Sequence, residues 1–173
     1  MGAFTIERVA AESGVSKTTI YKWWPTKGAL AFDTYFEATQ PELAFPNTGD
    51  VAADLRTQLR SHARLIGATP AGRAFAGLVA EAQTDPDLAA AMHERYTKPR
   101  RRLALARMRR AQQEGQLRAD ADPEVIIDQL WGAVYHRLLL TGLPITAEFV
   151  DCALSNLLDS IRPAIALAPP TRR

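Results

Sequence analysis

Residues 5–30 carry side chains whose types and spacing suit contact with a nucleic acid. Between Gly14 and Gly28 there are three lysines and no carboxylate, with hydroxyl and aromatic side chains between them. Ammonium groups, hydroxyl groups and the N–H groups at a helix start all donate to phosphate oxygens. The candidate contact residues are Thr5, Ser16, Lys17, Thr18, Thr19, Tyr21, Lys22, Trp23 and Lys27. The alternative is an ordinary solvated helix face, which would not require this mixture.

Two short helices joined by a tight turn are predicted to position these side chains. Thr5 is a suitable N-cap for the first helix, in which apolar residues recur at i, i+3 and i+4. Gly14 ends that helix, because glycine adopts left-handed backbone without a Cβ clash. Ser16 begins a second helix that reaches Trp24, before Pro25. This arrangement is the one that places a second helix in the major groove of DNA.

The run IERVAAESGVSKTTIYKWWPTKGAL, residues 6–30, resembles the DNA-binding signature of the TetR/AcrR family of bacterial transcription regulators. The resemblance implies contacts with base edges for Lys17, Thr18 and Trp23. It implies contacts with phosphates for Thr5, Thr19, Tyr21 and Lys27. It implies core positions for Ile20, Trp24 and Leu30. Trp23 stands where the family often carries His or Arg, so stacking on the sugar-phosphate edge and simple packing both stay open.

The family carries one more helix before the first helix predicted here, and Met1 falls in the loop that would follow it. Four apolar side chains should therefore lack part of their cover: Ile6, Val9, Ile20 and Trp24. Apolar area left in water costs on the order of 25 cal/mol per Å². We expect the native chain to begin upstream or this chain to be shortened. We also expect the DNA-binding half to be loosely ordered, or to borrow cover from a neighbour.

The rest of the chain predicts helices and no strand, so we expect an all-α protein. The predicted helices are 27–37, 50–66, 69–83, 86–114 with a kink near Pro99, 123–141, and one from 146 that ends before Pro163. Asp85 and Asp122 each precede a proline, which is a strong helix-start pattern. Residues 40–50 hold two prolines and a glycine. They are predicted to separate a helix-turn-helix DNA-binding domain, 1–45, from a helical-bundle regulatory and dimerisation domain, 46–173.

The last two long helices are apolar on more than one side, and such helices need cover on more than one side. We expect a four-helix interface about a two-fold axis in a homodimer, with a thick monomer core as the alternative. The predicted interface residues are Ile127, Leu130, Val134, Leu138, Phe149, Ala153, Leu154, Leu157 and Ile161. A dimer would present two recognition helices to the half-sites of a pseudo-palindromic operator.

The resemblance also implies that a small molecule binds inside the regulatory half and moves the two DNA-binding units apart. GRAFAGLVAEAQTDPDLAAAMHERYTKPRRRLALARMRRAQQEGQLRADADPE and YHRLLLTG resemble one subfamily of regulatory domains, less specifically. The predicted cavity residues are Phe75, Leu78, Met92, His93, Tyr96, Arg102, Met108, Trp131 and Tyr135, with His136 as a further polar anchor. The sequence leaves open which way each side chain faces and what the effector is.

Seven basic residues and no acid lie between Lys98 and Arg110. Such a run is most often a solvated face whose arginine stems cover apolar surface. A second nucleic-acid site and an inward-facing arginine that binds an acidic ligand are the alternatives.

Composition narrows the function. The net charge of +2 is too small to indicate nucleic-acid binding by itself. One cysteine, Cys152, excludes an intrachain disulfide and suits a reducing cytoplasm. We interpret it as a small buried hydrophobe or an interface thiol, with a redox sensor as the alternative. No apolar run has membrane-spanning length and no secretory signal is visible, so we expect a cytoplasmic protein.

None of the three histidines stands in a catalytic or metal-binding motif. We therefore expect no enzymatic activity, no metal and no cofactor. The predicted function is a DNA-binding transcriptional regulator that represses as a homodimer and is released by a small molecule. The alternative is a helical ligand-binding or partner-binding dimer without DNA affinity. Activation instead of repression, the operator sequence and the effector stay open.

Overall fold

The predicted all-α fold is confirmed. The structure, a computed structural model, describes residues 5–39, 45–67 and 69–163. Within these ranges the chain forms nine α-helices and no strand, and two five-residue π-helical turns extend the helical runs. Residues 40–44 of the predicted linker and the prolines at 169–170 lie outside the described residues.

Three short helices form the N-terminal part of the fold. They are α1 (Ile6–Ser13), α2 (Lys17–Trp23) and α3 (Lys27–Thr39). The Thr5 hydroxyl accepts a hydrogen bond from the Arg8 N–H at 3.2 Å. The Ser16 hydroxyl accepts one from the Thr19 N–H at 3.1 Å. Gly14 lies between α1 and α2 with φ +70°, the left-handed backbone that favours glycine. These contacts confirm the predicted starts and end of the helix-turn-helix.

Six further helices form the rest of the fold. They are α4 (Val51–Ile66), α5 (Pro70–Ala82), α6 (Pro86–Met92), α7 (Lys98–Gln113), α8 (Pro123–His136) and α9 (Ala147–Ile161). Five of them begin after a residue whose side chain accepts a hydrogen bond from a first-turn N–H: Asp50, Thr69, Asp85, Asp122 and Thr146. Helix starts were predictable because this chemistry is local.

Near Pro99, where a kink was predicted, the structure has a π-helical turn. Residues His93–Thr97 join α6 to α7, and the Lys98 N–H bonds to the His93 carbonyl, five residues earlier. Pro99 follows and has no N–H to donate, so a regular α-helical ladder would be broken there in any case. A second π-helical turn, Arg137–Thr141, extends α8 and ends at Gly142 with φ +65°. Such turns often lie beside functional sites.

Three apolar clusters hold the described fold together, and α3 contributes to two of them. Leu30 packs in the cluster of α1 and α2. Phe32 and Tyr35, two and five residues further along α3, pack in a second cluster formed with α5, α6 and the π-helical turn before α7. The third cluster joins α4, α7, α8 and α9. The domain boundary at 45/46 stays a prediction, but α3 physically belongs to both parts.

The helix-turn-helix is better covered than the sequence suggested. Ile6 and Ile20 are only 4% and 3% exposed, contrary to the expectation of an open face. They are covered mainly by Leu30 of α3, with Val9 and Trp24 packed around them. Val9 and Trp24 themselves are half-buried. The linking helix therefore supplies cover that the sequence analysis had assigned to a missing helix.

Most of the predicted dimer interface lies inside the single chain. Five residues are no more than 7% exposed in the cluster that joins α4, α7, α8 and α9: Ile127, Leu130, Val134, Leu154 and Ile161. Side chains with so little exposed area cannot form much of an interface, so these five belong to the core of the single chain. Leu138, Phe149, Ala153 and Leu157 stay partly exposed. Cys152 is exposed, so its interpretation as a buried hydrophobe is wrong.

A buried ion pair joins α4 to α7. Arg107 Nε donates to Asp54 Oδ2 at 2.7 Å, and the two side chains are 3% and 0% exposed. The Thr48 N–H and hydroxyl also donate to Asp54 Oδ1, at 3.0 and 2.7 Å. Burial alone would raise the pKa of Asp54, but these hydrogen bonds outweigh it and lower the pKa. Asp54 thus links Thr48, before α4, to Arg107 in the middle of α7.

Candidate DNA-binding face and ligand cavity

Helix α2 exposes every side chain except Ile20. The six predicted contact residues on it are therefore open to solvent: Lys17, Thr18, Thr19, Tyr21, Lys22 and Trp23. Tyr21 and Trp23 are 47% and 70% exposed, which is unusual for large aromatic side chains. Trp23 therefore does not pack in the core that the described residues form. An exposed aromatic ring can stack on a sugar or a base, while the lysines and hydroxyl groups beside it donate hydrogen bonds to phosphates.

Hydroxyl groups fix the starts of all three N-terminal helices. Thr5 and Ser16 cap α1 and α2, and Ser16 Oγ also lies 2.9 Å from Thr19 Oγ1. Thr26 Oγ1 accepts from the Ala29 N–H at 3.0 Å and so caps α3. The sequence analysis missed Thr26, although a threonine directly before a helical run is a common N-cap. It sets Lys27 in the first turn of α3, where the helix dipole also favours a phosphate.

An acidic residue on α1 contacts the predicted base-reading lysine. Lys17 Nζ lies 2.8 Å from Glu7 Oε1, with both side chains more than half exposed. The hydrogen bond from Lys17 lowers the pKa of Glu7. Exposed ion pairs are weak and screened by salt, so Lys17 can exchange Glu7 for a DNA group at little cost. The sequence analysis missed Glu7 because it lies ten residues away on another helix.

A cavity of about 530 Å³ opens between α4, α5, α7 and α8, a size typical of small-molecule sites. Five of the predicted residues line it: Phe75, Met92, Tyr96, Trp131 and Tyr135. The other predicted residues do not. Leu78 and Met108 are buried against neighbouring side chains, whereas His93, Arg102 and His136 are exposed. Helical spacing alone could not distinguish these faces. Lining residues that the sequence analysis missed include Phe45, Gln58, His62, Arg100, Ile127 and Leu139.

One end of the cavity is polar. His62, Tyr96, Arg100 and Tyr135 line it, and His62 and Tyr96 are only 2% and 3% exposed. His62 Nε2 and Arg100 Nε have no hydrogen-bond partner within the described residues. Burial raises the pKa of Tyr96 and Tyr135, so both phenols stay protonated donors. Buried polar groups normally have partners, so this end of the cavity is prepared for one.

Burial also keeps His62 neutral. Together with the smaller effect of the Arg100 charge, it lowers the pKa of His62 from 6.5 to about 4. The ring contacts Tyr135 edge-on, with 5.6 Å between the ring centroids. Protonation in the folded state would place two positive charges at one end of the cavity.

The buried histidine predicts a pH-dependent stability. The unfolded chain takes up the His62 proton near pH 6.5 and the folded chain near 4, so acidification within this window favours unfolding. The stabilisation is complete above pH 6.5 and lost as pH falls through 4. It amounts to about 3 kcal/mol at 1.36 kcal/mol per pKa unit. Between pH 7 and 4, the free energy of unfolding of wild type should therefore fall by this amount relative to that of His62→Gln, as measured by urea denaturation. A constant difference would contradict the prediction, and His93→Gln, exposed, is the control.

The basic run between Lys98 and Arg110 is largely neutralised by acids. Arg101 contacts Glu124 and Asp128 of α8. The other ion pairs of the run are Lys98 with Glu94, Arg107 with Asp54, and Arg110 with Glu114. Arg102 and Arg109 are exposed, and Arg100 lines the cavity. Because most of the charges are paired, the run does not form a continuous basic surface. Its acids lie mostly on other helices, which the sequence of α7 could not show.

A polar bridge joins the helix-turn-helix to the cavity wall through α3. Trp24 Nε1 donates to Asp33 Oδ2 at 2.7 Å, and Arg95 Nη1 donates to Asp33 Oδ1. Arg95 also lies over the Phe32 ring, 5.6 Å from its centroid. Tyr96 follows Arg95 on the same π-helical turn and lines the cavity. A displacement of this turn therefore acts directly on α3 and on Trp24.

Two family models match the two parts of the chain. Residues 45–157 match the C-terminal domain of tetracyclin repressor-like proteins. Residues 1–34 match bacterial regulatory proteins of the tetR family. The chain belongs to the TetR family. This result confirms the resemblance that residues 6–30 indicated.

Relatives of this TetR-family chain match it over most of its length. YdeS of Bacillus subtilis, named as an uncharacterized HTH-type transcriptional regulator, is 32% identical and covers 92% of this chain and 80% of its own. TetR of Mycobacteroides abscessus, named as a DNA-binding transcriptional repressor, is 29% identical and covers 92% of this chain and 84% of its own. The crystal structure of the TetR family transcription regulator SCO0332 is 55% identical with a TM-score of 0.80, covering 92% of this chain and 87% of that one.

The TetR-family chain is a DNA-binding transcription regulator, which the family models and the named relatives support over the alternative without DNA affinity. The prediction that it is not an enzyme is confirmed, since these relatives are all regulators. In the described part of the chain, no helix is long and apolar enough to cross a membrane. Among the same residues, no group of three or more His, Cys, Asp or Glu side chains could hold a metal ion.

Proposed function

We propose that the protein is a cytoplasmic repressor that binds a pseudo-palindromic operator as a homodimer and leaves it when a small molecule fills the cavity. The observation that carries the proposal is the exposed face of α2, which presents lysines, hydroxyl groups and two aromatic rings without a carboxylate. The printed function of the relative from Mycobacteroides abscessus, a repressor, supports repression. Repression would follow from occupation of promoter DNA.

Within this proposal the side chains of the DNA-binding face divide into two groups. Lys17, Thr18 and Trp23 contact base edges or the adjoining sugar. The phosphate-contacting group is Thr5, Ser16, Thr19, Tyr21, Lys22 and Lys27. The hydroxyl groups that cap helices keep a hydrogen to donate, because they use only an oxygen lone pair for the cap. Capping and phosphate binding are therefore compatible in one side chain.

The proposed dimer surface lies on the outer side of α8 and α9. A shallow groove there includes Ala153, Asn156 and Leu157. Leu140, in the π-helical turn after α8, is 77% exposed, which leaves a large apolar side chain to cover. Leu138 and Phe149 are the other predicted interface residues that keep exposed area. A second copy about a two-fold axis would cover this surface and pair the two recognition helices.

Effector release would operate through α3. Tyr96 of the cavity wall packs on Tyr35 of α3, with ring centroids 6.1 Å apart, and the neighbouring Arg95 contacts Asp33. Asp33 in turn holds Trp24 of the helix-turn-helix. An effector shifts the equilibrium only if it binds the released spacing of the two DNA-binding units more tightly than the bound one. An effector that displaces the π-helical turn when it binds would favour the released spacing.

Two lysine variants test the assignment of the DNA-binding face. Lys27→Ala should weaken binding to all duplexes alike and reduce the slope of log K against log salt by about one unit. Lys17→Ala should instead change which base is preferred at one position, by about 1–3 kcal/mol. Fluorescence anisotropy with operator and single-base variants at several salt concentrations measures both. Arg109→Ala on α7 is the control and should change neither. An unchanged slope refutes the phosphate contact, and a uniform loss of affinity refutes base contact by Lys17.

A further inference from the structure

We propose that the effector is a largely apolar, aromatic molecule with one anionic group, and that Arg100 binds the anion at the polar end of the cavity. The inference rests on the proposed function, in which the cavity holds the effector, and adds the chemistry of that effector. It follows from the charge of Arg100, from the unpaired polar atoms near it, and from the aromatic rings that line the same cavity.

Arg100 carries a positive charge that no acid of the described chain neutralises. Its guanidinium group stacks on Tyr96, 3.9 Å from the ring centroid, and Nη1 reaches only the Tyr96 carbonyl at 3.5 Å. Its Nε is buried and has no partner within the described residues. The adjacent Arg101 is different, because Glu124 and Asp128 compensate its charge. A half-buried guanidinium without an acidic partner gains from an anion that pairs with it.

The neighbours of Arg100 add neutral hydrogen-bonding groups and no negative charge. His62 and Tyr96 are buried and line the cavity, and His62 Nε2 lacks a partner within the described residues. A protonated phenol and a neutral imidazole can orient a carboxylate or a sulfonate but cannot balance a guanidinium charge. Asp128, the carboxylate at the cavity lining, is engaged by Arg101. A cationic effector would meet Arg100 without compensation, and a neutral one would leave it unpaired.

The remaining walls fix the rest of the effector. Phe75 and Tyr135 stack with ring centroids 5.8 Å apart, and Phe45 and Trp131 lie 6.4 Å apart. These four rings line the cavity. Aromatic walls favour a flat apolar body through offset and edge-on ring contacts. An effector with a ring system and one acid group matches both the aromatic and the polar lining residues, which a purely polar anion such as phosphate would not.

A matched pair of probes tests this chemistry in the full chain. Isothermal titration calorimetry compares 2-naphthoate with 2-naphthamide, which has nearly the same shape and no charge. Wild type should bind the naphthoate roughly 10- to 100-fold more tightly, the worth of a hydrogen bond to a charged group. Arg100→Met keeps the stem that packs on Tyr96 and removes the charge. It should abolish this preference, while Arg102→Met, exposed on the same helix, should keep it.

A second variant tests whether the probes bind in the cavity, independently of whether the Arg100 variant folds. A Cβ at Gly132 meets no atom within 4 Å, and Gly132 lines the cavity. Gly132→Leu should fill this space and weaken both probes alike. Equal affinity of wild type for the two probes, binding of neither, or a preference that survives Arg100→Met would overturn the inference. Duplex binding without a probe tests the proposed function separately. A chain that binds its operator but does not prefer the naphthoate refutes only the effector chemistry.

Discussion

Arg107→Leu should lower the free energy of unfolding by about 3–5 kcal/mol, the usual cost of removing one partner of a buried ion pair. The substitution leaves Asp54 charged and 0% exposed, with only the Thr48 hydrogen bonds to hold it. Leucine fills much of the volume of the arginine stem, so the lost charge and not a cavity dominates the effect. Urea denaturation followed by circular dichroism measures the change. Arg109→Leu, exposed on the same helix, should cost little.

A double-mutant cycle separates the ion pair from packing. In Asp54→Leu/Arg107→Leu no charge stays buried, so the double variant should be more stable than either single variant. A cost below about 1 kcal/mol for Arg107→Leu would contradict the role of this pair, because surface substitutions fall in that range. Additive losses in the double variant would show that the two side chains act independently.

Reversal of two charges on α2 should remove operator binding. Lys17→Glu/Lys22→Glu replaces a base contact and a phosphate contact with two groups that DNA repels. At about 1–3 kcal/mol per lost contact, and with repulsion added, affinity should fall by about 100-fold or more. The effect should be largest at low salt, where phosphate contacts contribute most. Both lysines are exposed, so the fold should tolerate the change.

The matched control carries the same change of charge on another helix. Arg102→Glu/Arg109→Glu alters two exposed residues of α7 and shifts the net charge equally. Its affinity should stay within about threefold of wild type, allowing for the weak long-range effect of net charge. Electrophoretic mobility shift and anisotropy compare the two variants. A control that loses affinity as strongly would revive the second nucleic-acid site at the basic run.

Local chemistry explains which parts of the fold could be predicted. Asp85 before Pro86 and Asp122 before Pro123 each carry a complete helix-start pattern, and the structure has a helix at each. The exposed polar face of α2 could likewise be predicted from neighbouring residues alone. The orientation of α7 did not follow from its sequence, because Arg100 and not Arg102 faces the cavity. Which arginine faces the cavity depends on how α7 packs against α8. It also depends on the π-helical turn before α7.

The sequence also could not show which element covers each apolar helix face. Leu130 and Leu154 have the spacing of an interface, but α4 and α7 of the same chain cover them. Apolar periodicity shows that a face must be buried and does not show by what. The ion pair between Asp54 and Arg107 spans 53 positions, so neither partner could be assigned from its own helix. Long-range pairs of this kind need the fold before they can be recognised.

Fluorescence anisotropy of the wild-type chain, titrated against duplexes from the region upstream of its own gene, tests the central claim most directly. We expect saturable binding of two chains to one two-fold-symmetric duplex. We also expect a loss of affinity of about 10³-fold or more between 50 and 200 mM salt, as for a protein with several phosphate contacts in each half-site. Equal, weak binding to operator-region and scrambled duplexes, or affinity that does not change with salt, would contradict a sequence-specific regulator.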